Sequence, residues 1–207
     1  MVDVTLTIFS LAILLFSVVI HELAHGSVAL SLGDTTAKYA GRLTLNPLKH
    51  LDPIGSVILP LMMLLITQGQ GPIFGWAKPV PINPYNFRDQ KWGSLKVAIA
   101  GPLSNIGIAL VFGLAIRFLN LPLSVPFVQL FVMVVLVNLL LALFNLIPIP
   151  PLDGHWILFS FFPNGFERAK MILQQYGFFI LIFVIFSGVL DWLYSLVQIL
   201  FSLIVGI

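Results

Sequence analysis

Val4–Leu32 reads VTLTIFSLAILLFSVVIHELAHGSVALSL. The run is long enough to cross a bilayer with some tilt. Inside it, His21-Glu22-Leu23-Ala24-His25 carries the spacing H-E-x-x-H. Residues four apart share one face of a helix, so both imidazoles can reach a single Zn²⁺. Glu22 stands beside that face, placed to take a proton from a water polarised by the ion. The flanks, Ile8 to Ile20 and Leu30 to Leu32, hold almost nothing polar. In a soluble protein the same motif is commonly a solvated patch on a surface helix. The apolar setting removes that explanation, and a satisfied core histidine accounts for one His, not for two with a Glu in register. Ionisable groups at membrane depth are costly and mark function. The first expectation is metal-dependent chemistry within a bilayer.

Composition agrees. Of 207 residues, 59% are hydrophobic and only 9% charged, against about 25% charged in soluble domains. The chain reads as an all-α polytopic membrane protein, a bundle of about five to six transmembrane segments. It forms one unit over 1–207, with a motif-bearing core at 4–154 and C-terminal helices at 155–207. There is no cysteine, which excludes disulfides, thiolate metal ligands and a cysteine nucleophile. The N-terminus lacks a basic region, so it does not read as a cleaved signal peptide. No basic run with interleaved aromatics suggests nucleic acid.

Outward from the first segment, Gly33-Asp34 ends the helix. Residues 35–46 (TTAKYAGRLTLN) read as a short β-hairpin, and Asn46-Pro47 and Asp52-Pro53 as turns. Ile54–Thr67 is too short for an easy span and is interrupted by Pro60, so it reads as a re-entrant or membrane-associated segment. Residues 69–93 read as a long loop, with Trp76–Pro81 extended near the interface. Ser94–Leu119 is the next span and carries Gly101-Pro102-Leu103-Ser104-Asn105. Phe127–Ile147 follows and runs into Asn145-Leu146-Ile147-Pro148-Ile149-Pro150-Pro151-Leu152-Asp153-Gly154, where prolines end it. Residues 155–170 read as an interfacial stretch, and Met171–Val189 and Trp192–Val205 as the last spans.

If 54–67 does not cross, all basic residues but Arg117 fall on one side. The positive-inside rule makes that side cytoplasmic, with the N-terminus outside and five full spans. The end of segment one and Asp153 then share a side, as a shared metal requires. A catalytic zinc takes three protein ligands and a water. Asp3, Asp34, Asp52, Asp89, Glu167 and Asp191 lie in loops or at segment ends. Asp153 sits at the broken end of a span, and is the candidate third ligand. His155 is its main rival, and His50 is an alternative by residue type.

H-E-x-x-H in an early span, G-P-x-x-N in the next and N-x-x-P-x-P-x-x-D-G in the third together resemble the site-2 proteases, zinc metalloproteases that cut within membranes. The likeness covers nearly the whole chain. Gly-Arg-Leu-Thr-Leu-Asn-Pro and Trp-Ala-Lys-Pro-Val-Pro resemble the bacterial and archaeal branch, and no PDZ-like or nucleotide-sensing domain is evident. The resemblance implies that His21, His25 and Asp153 hold one Zn²⁺, that Glu22 is the general base, and that Asn145 stabilises the oxyanion or orients substrate. It implies transmembrane protein substrates within a lipid bilayer, a cell-membrane location with the site toward the cytoplasm, and room for a separate regulatory or adaptor membrane protein. Asn105 and Asn138 read as helix–helix hydrogen bonders, and Gly101 and Pro102 as packing residues. The strand-like 35–46 segment is a candidate for pairing with an unwound substrate. The rival from another class is a membrane metal-ion transporter using the same His and Asp residues; Glu22 argues against it, since a transit site needs no base.

Overall fold

The structure, a computed structural model, describes residues 4–67, 77–119, 122–123, 125–162 and 165–207. Eight helices appear among them: α1 (Val4–Ser31), α2 (Thr36–Tyr39), α3 (Leu59–Thr67), α4 (Gly93–Leu119), α5 (Pro126–Asn145), α6 (Gly154–Ser160), α7 (Glu167–Phe186) and α8 (Val189–Val205). Helices are what an apolar chain must form in lipid, since each backbone group finds its partner within the segment. Four of them are long and apolar enough to span: Ile8–Ser31 within α1, then α4, α5 and α7. α8 is apolar but shorter, at 17 residues. Large apolar side chains such as Leu65, Phe118 and Phe183 stand exposed on the outside of the bundle, the surface that lipid covers.

α4 is the centre of the bundle and packs against α1, α5, α6 and α8. Its buried face runs through Val97, Ala98, Gly101, Pro102, Asn105, Ala109, Gly113 and Ile116, at helical spacing. Small residues there let neighbours approach closely. A Cβ on Gly113 would lie 2.4 Å from Ile204 Cγ2 of α8. Below this, Val128, Val135 and Leu139 of α5 and Val197, Phe201 and Val205 of α8 close an apolar core. α1 presents Ser17, His21, His25 and Ala29, four residues apart and all buried, as the stripe that meets α4.

α1 ends in a Schellman turn. Gly33 takes φ 108°, its N–H donates to Leu30 O at 3.0 Å, and Asp34 N–H donates to Ala29 O at 2.9 Å. Residues 35–46 do not form the expected hairpin. Asp34 accepts from both the N–H and the hydroxyl of Thr36, and the chain winds into the single turn α2, with Ala37 fully buried. Local side-chain bonds thus offered the backbone an alternative to a ladder. The one antiparallel bridge among the described residues joins Leu51 to Ala77, with Lys78 N–H donating to His50 O at 2.8 Å.

Residues 53–67 form a π-helical turn, Pro53–Ile58, followed by α3. Of the expected loop at 69–93, residues 69–76 lie outside the described residues, including Trp76 of the expected extended piece. Residues 77–83 run without helix, to a short 3₁₀ turn at Pro84–Asn86. The expected interfacial stretch 155–170 divides into α6 and the start of α7, which begins at Glu167 rather than Met171. The break between the last two helices falls at Gly188, with φ 84°, so α8 starts at Val189 rather than Trp192.

Asp34 is fully buried and also accepts from Asn83 N–H and Asn86 Nδ2, both at 2.8 Å. It therefore ties the 77–92 segment to the end of α1. Burial favours the uncharged acid, but the donors from Thr36, Asn83 and Asn86 outweigh it and hold the carboxyl below its ordinary value. This tether is complete above the unfolded carboxylate value of about 3.9 and is lost only as pH falls through the lower folded value. Asp34→Ala leaves buried donors without an acceptor and should cost about 2–4 kcal/mol. The expected outcome is a lower thermal midpoint in detergent and faster proteolysis within 77–92; an unchanged midpoint and cleavage pattern would discard the tether.

Candidate metal centre

α1 places His21 and His25 one turn apart on its buried stripe, with ring centroids 4.6 Å apart and planes at 83°. Asp153 arrives from the other end of the sequence. α5 stops at Asn145, where the Pro148–Pro151 stretch provides no continuing helix, and the chain folds back. A Cβ on Gly154 would lie 2.3 Å from Leu146 O and 2.4 Å from Ile147 O, so only glycine allows so tight a reversal. α7 braces the turn from outside, at Gly177, whose Cβ would lie 2.7 Å from Pro150.

These elements bring three atoms to one point. His21 Nε2 and His25 Nε2 are 3.0 Å apart. Asp153 Oδ2 is 3.0 Å from the first and 3.2 Å from the second. Both histidines are buried, while the Asp153 side chain is 20% exposed and opens to the adjoining cavity. His21 and His25 lie about 15 and 9 Å inside the end of α1, counting 1.5 Å per residue.

The donor set fits zinc. His21 Nδ1 meets Asn105 Oδ1 at 2.6 Å, and His25 Nδ1 meets Val97 O at 2.7 Å. Both partners are acceptors, so each Nδ1 carries a proton and each Nε2 is turned inward. Two imidazole nitrogens and a carboxylate oxygen then meet at 3.0–3.2 Å, and once both nitrogens are deprotonated they are three acceptors around one point. Acceptors repel in a low-dielectric interior, and a cation between them reverses the sign. Ligands at about 2.0–2.1 Å around a tetrahedral zinc stand roughly 3.3 Å apart, close to the triangle seen. Space is provided as well. A Cβ on Gly101 would lie 2.3 Å from His25 Nε2 and 2.6 Å from His21 Nε2, within the volume an ion needs.

The rival ligands are elsewhere. His155 is buried, its Nδ1–H donating to Leu152 O at 2.6 Å, and its ring packs on Trp156 and Phe159. It is thus neither a ligand here nor a solvated interfacial residue. His50 is fully buried and donates from Nε2 to Thr44 O at 2.9 Å. Among the described residues, His21, His25 and Asp153 are the group of His and acidic side chains that converges.

Glu22 lines a cavity of about 340 Å³ together with His25, Asp153, Val97 and Trp156. Its Oε2 accepts from Val80 N–H at 2.7 Å. The 77–83 segment reaches this position because Gly26 has no side chain; a Cβ there would lie 3.0 Å from Val80 Cγ1. Asn145 is not among the cavity residues, and its Nδ2 donates within its own helix to Leu141 O at 2.9 Å. Asn105 is the site neighbour whose connection to a ligand the sequence did not disclose. Gly101 packs closely, as expected, and what it packs against is the pair of imidazoles.

The sequence profile of peptidase family M50 matches residues 120–184, a stretch that contains Asp153. YwhC of Bacillus subtilis, a candidate zinc metalloprotease, is 41% identical over 181 residues, covering 83% of this chain and 78% of its own. Rip2 of Mycolicibacterium smegmatis, also a candidate zinc metalloprotease, is 31% identical over 185 residues, covering 88% of this chain and 69% of its own. The zinc metalloprotease MJ0392 of Methanocaldococcus jannaschii is 29% identical over 198 residues, covering 94% of this chain and 47% of its own. No solved structure matches the chain.

Gly101→Ala tests the cradle directly. Alanine suits a helix interior better than glycine by about 1 kcal/mol, so helix content should persist. Zinc retained after purification should fall to background. Stoichiometric zinc in the variant would show that the added methyl does not enter the ion's volume.

Proposed function

Since the chain belongs to peptidase family M50, the site-2 proteases, and is a zinc metalloprotease with membrane-spanning helices, we propose that it is an intramembrane endopeptidase. Its substrates are transmembrane proteins, cut in or near their spanning segments, and such cleavage serves regulated intramembrane proteolysis. The observation that carries this reading is the cavity on which Glu22, His25 and Asp153 meet inside an apolar bundle. A transit site for metal ions would not need a carboxylate beside its ligands.

In this reading His21, His25 and Asp153 hold the ion. When bound, zinc supplies a Lewis acid that polarises the attacking water and the scissile carbonyl. Glu22 is the general base: its carboxylate takes a proton from the attacking water and delivers it to the leaving amide nitrogen. The Val80 N–H bond to Oε2 fixes the carboxylate's orientation while leaving its other lone pairs for that proton. Asn145 is assigned to the oxyanion or to substrate orientation. One N–H of its amide is held by Leu141 O, which leaves the second N–H as the donor it would use. A substrate helix buries its own amides in hydrogen bonds, so it unwinds before cleavage.

The clustering of basic residues around the cavity side, Lys78, Arg88, Lys91 and Lys96 among them, supports a cell-membrane orientation with the site toward the cytoplasm. Water then enters from that side, past the polar 77–92 segment. A separate membrane protein acting as adaptor or regulator is compatible with this arrangement.

Wild type and Glu22→Gln, purified in detergent, are compared for bound zinc and for cleavage of a tagged single-span substrate. Zinc should be present in both, with cleavage reduced about 10²–10⁴-fold in the variant. Equal cleavage by both would remove Glu22 as the base. Zinc in both with no cleavage by wild type, together with metal flux in liposomes, would favour transport instead. Asn145→Ala should keep its zinc and lose about 10²-fold in kcat; full activity would end its assignment.

A further inference from the structure

The two histidines are oriented by different kinds of partner. His25 donates to a backbone carbonyl, Val97 O, which the helix supplies whatever its side chains are. His21 donates to a side chain, Asn105 Oδ1, at 2.6 Å. That side chain is itself committed. Asn105 Nδ2 donates to Asn138 Oδ1 at 2.8 Å and to Ser17 O at 3.3 Å. Asn138 Nδ2 donates in turn to Ser17 Oγ at 2.9 Å and to Val134 O at 2.8 Å. Asn105 and Asn138 are 0% exposed, Ser17 4% and His21 6%.

The direction of this chain is forced. Val134 O is a carbonyl and can only accept, so the Asn138 atom facing it is the amide nitrogen. Asn138 therefore turns its oxygen to Asn105, which must answer with nitrogen. Ser17 O, a second carbonyl, demands the same of Asn105. The oxygen of Asn105 then faces His21, whose Nδ1 must carry the proton. That leaves the Nε2 lone pair for the metal. Two backbone carbonyls thus set the tautomer of a ligand through two amides, with no charge spent in a low-dielectric interior.

We propose that Asn105, backed by Asn138 and Ser17, is a positioning residue that fixes the tautomer and ring orientation of His21 for zinc. This rests on His21 being a zinc ligand, as assigned above. Hydrogen-bond partners on the far side of metal-bound histidines typically govern affinity by 10–100-fold. A purely structural bridge between α1, α4 and α5 would instead lower stability and leave the affinity of the folded protein untouched.

The test uses the full chain in detergent and reads the zinc dissociation constant by chelator competition, with thermal melting of the metal-free protein alongside. Asn105→Ala removes the acceptor at His21 and should weaken zinc about 10–100-fold. Asn138→Ala deletes an equally buried amide but leaves Asn105 held by Ser17 O, and should weaken zinc only a few-fold while lowering the melting midpoint comparably. Asn105→Asp keeps an acceptor at His21 and should retain zinc better than Asn105→Ala, although its charge faces Asn138 Oδ1 and Ser17 O. A structural bridge gives the same zinc affinity for those two. Should Asn105→Ala not fold, Asn105→Leu, which fills the space but offers His21 no acceptor, carries the test, with zinc again expected to weaken about 10–100-fold. Equal zinc affinity in wild type and Asn105→Ala, or equal losses in the two alanine variants, would overturn the proposal. Absence of zinc from the wild type itself would overturn the assignment of His21, and this inference with it.

Discussion

Three atoms, His21 Nε2, His25 Nε2 and Asp153 Oδ2, lie within 3.2 Å of one another where His25 and Asp153 border the cavity. A cation between them would be held by two imidazole nitrogens and a carboxylate oxygen at once. Each neighbour serves that constraint. Gly101 leaves the volume open, Val97 O and Asn105 hold the imidazoles in the tautomer that a ligand needs, and Gly154 lets the chain reverse sharply enough to deliver Asp153. α4 is central to the bundle because it contributes three of these neighbours on one face.

The same constraint explains the contrast between the site's walls. The α1–α4 side is tight and apolar apart from the ordered amides of Asn105 and Asn138, so the histidines cannot wander. The opposite side is made by the 77–83 segment and the cavity. Its backbone is not engaged in helix, and Val80 N–H is available to Glu22. Irregular backbone is tolerated at membrane depth where it is covered by protein or lines a cavity. Peptide hydrolysis needs rigidity at the metal and access for water and substrate from the cavity, and the two sides divide those demands.

Several features were legible in the residues and several were not. H-E-x-x-H could be read because its meaning lies in local spacing, which a helix converts directly into shared geometry. Asp153 could be singled out because the prolines before it break the helix and few other carboxylates sit at the end of a span. Residues 35–46 misled, since Thr, Tyr and Leu favour a strand only when another strand is there to pair with. Asp34, by capping Thr36 and holding Asn83 and Asn86, decided otherwise. The boundaries of α7 and α8 shifted because Gly188 breaks the last apolar stretch, three residues before Asp191. Asn105 and Asn138 gave no sign of a connection to the histidines, since an asparagine within an apolar helix suits any interhelical hydrogen bond.

By itself, the sequence determined that this chain lives in a membrane, that it is helical, and that two histidines and a glutamate share a helix within the apolar region. Composition and periodicity suffice for those statements, because lipid leaves a backbone few alternatives. Only the tertiary structure decided which carboxylate meets the two histidines, which way each imidazole points, and that Gly101 is where both imidazoles approach α4. Those depend on atoms separated by as many as 132 positions along the chain, brought together by the burial of α4 between α1 and α5. No local pattern encodes the meeting point, because it is fixed by how closely three helices can approach once their small residues face inward.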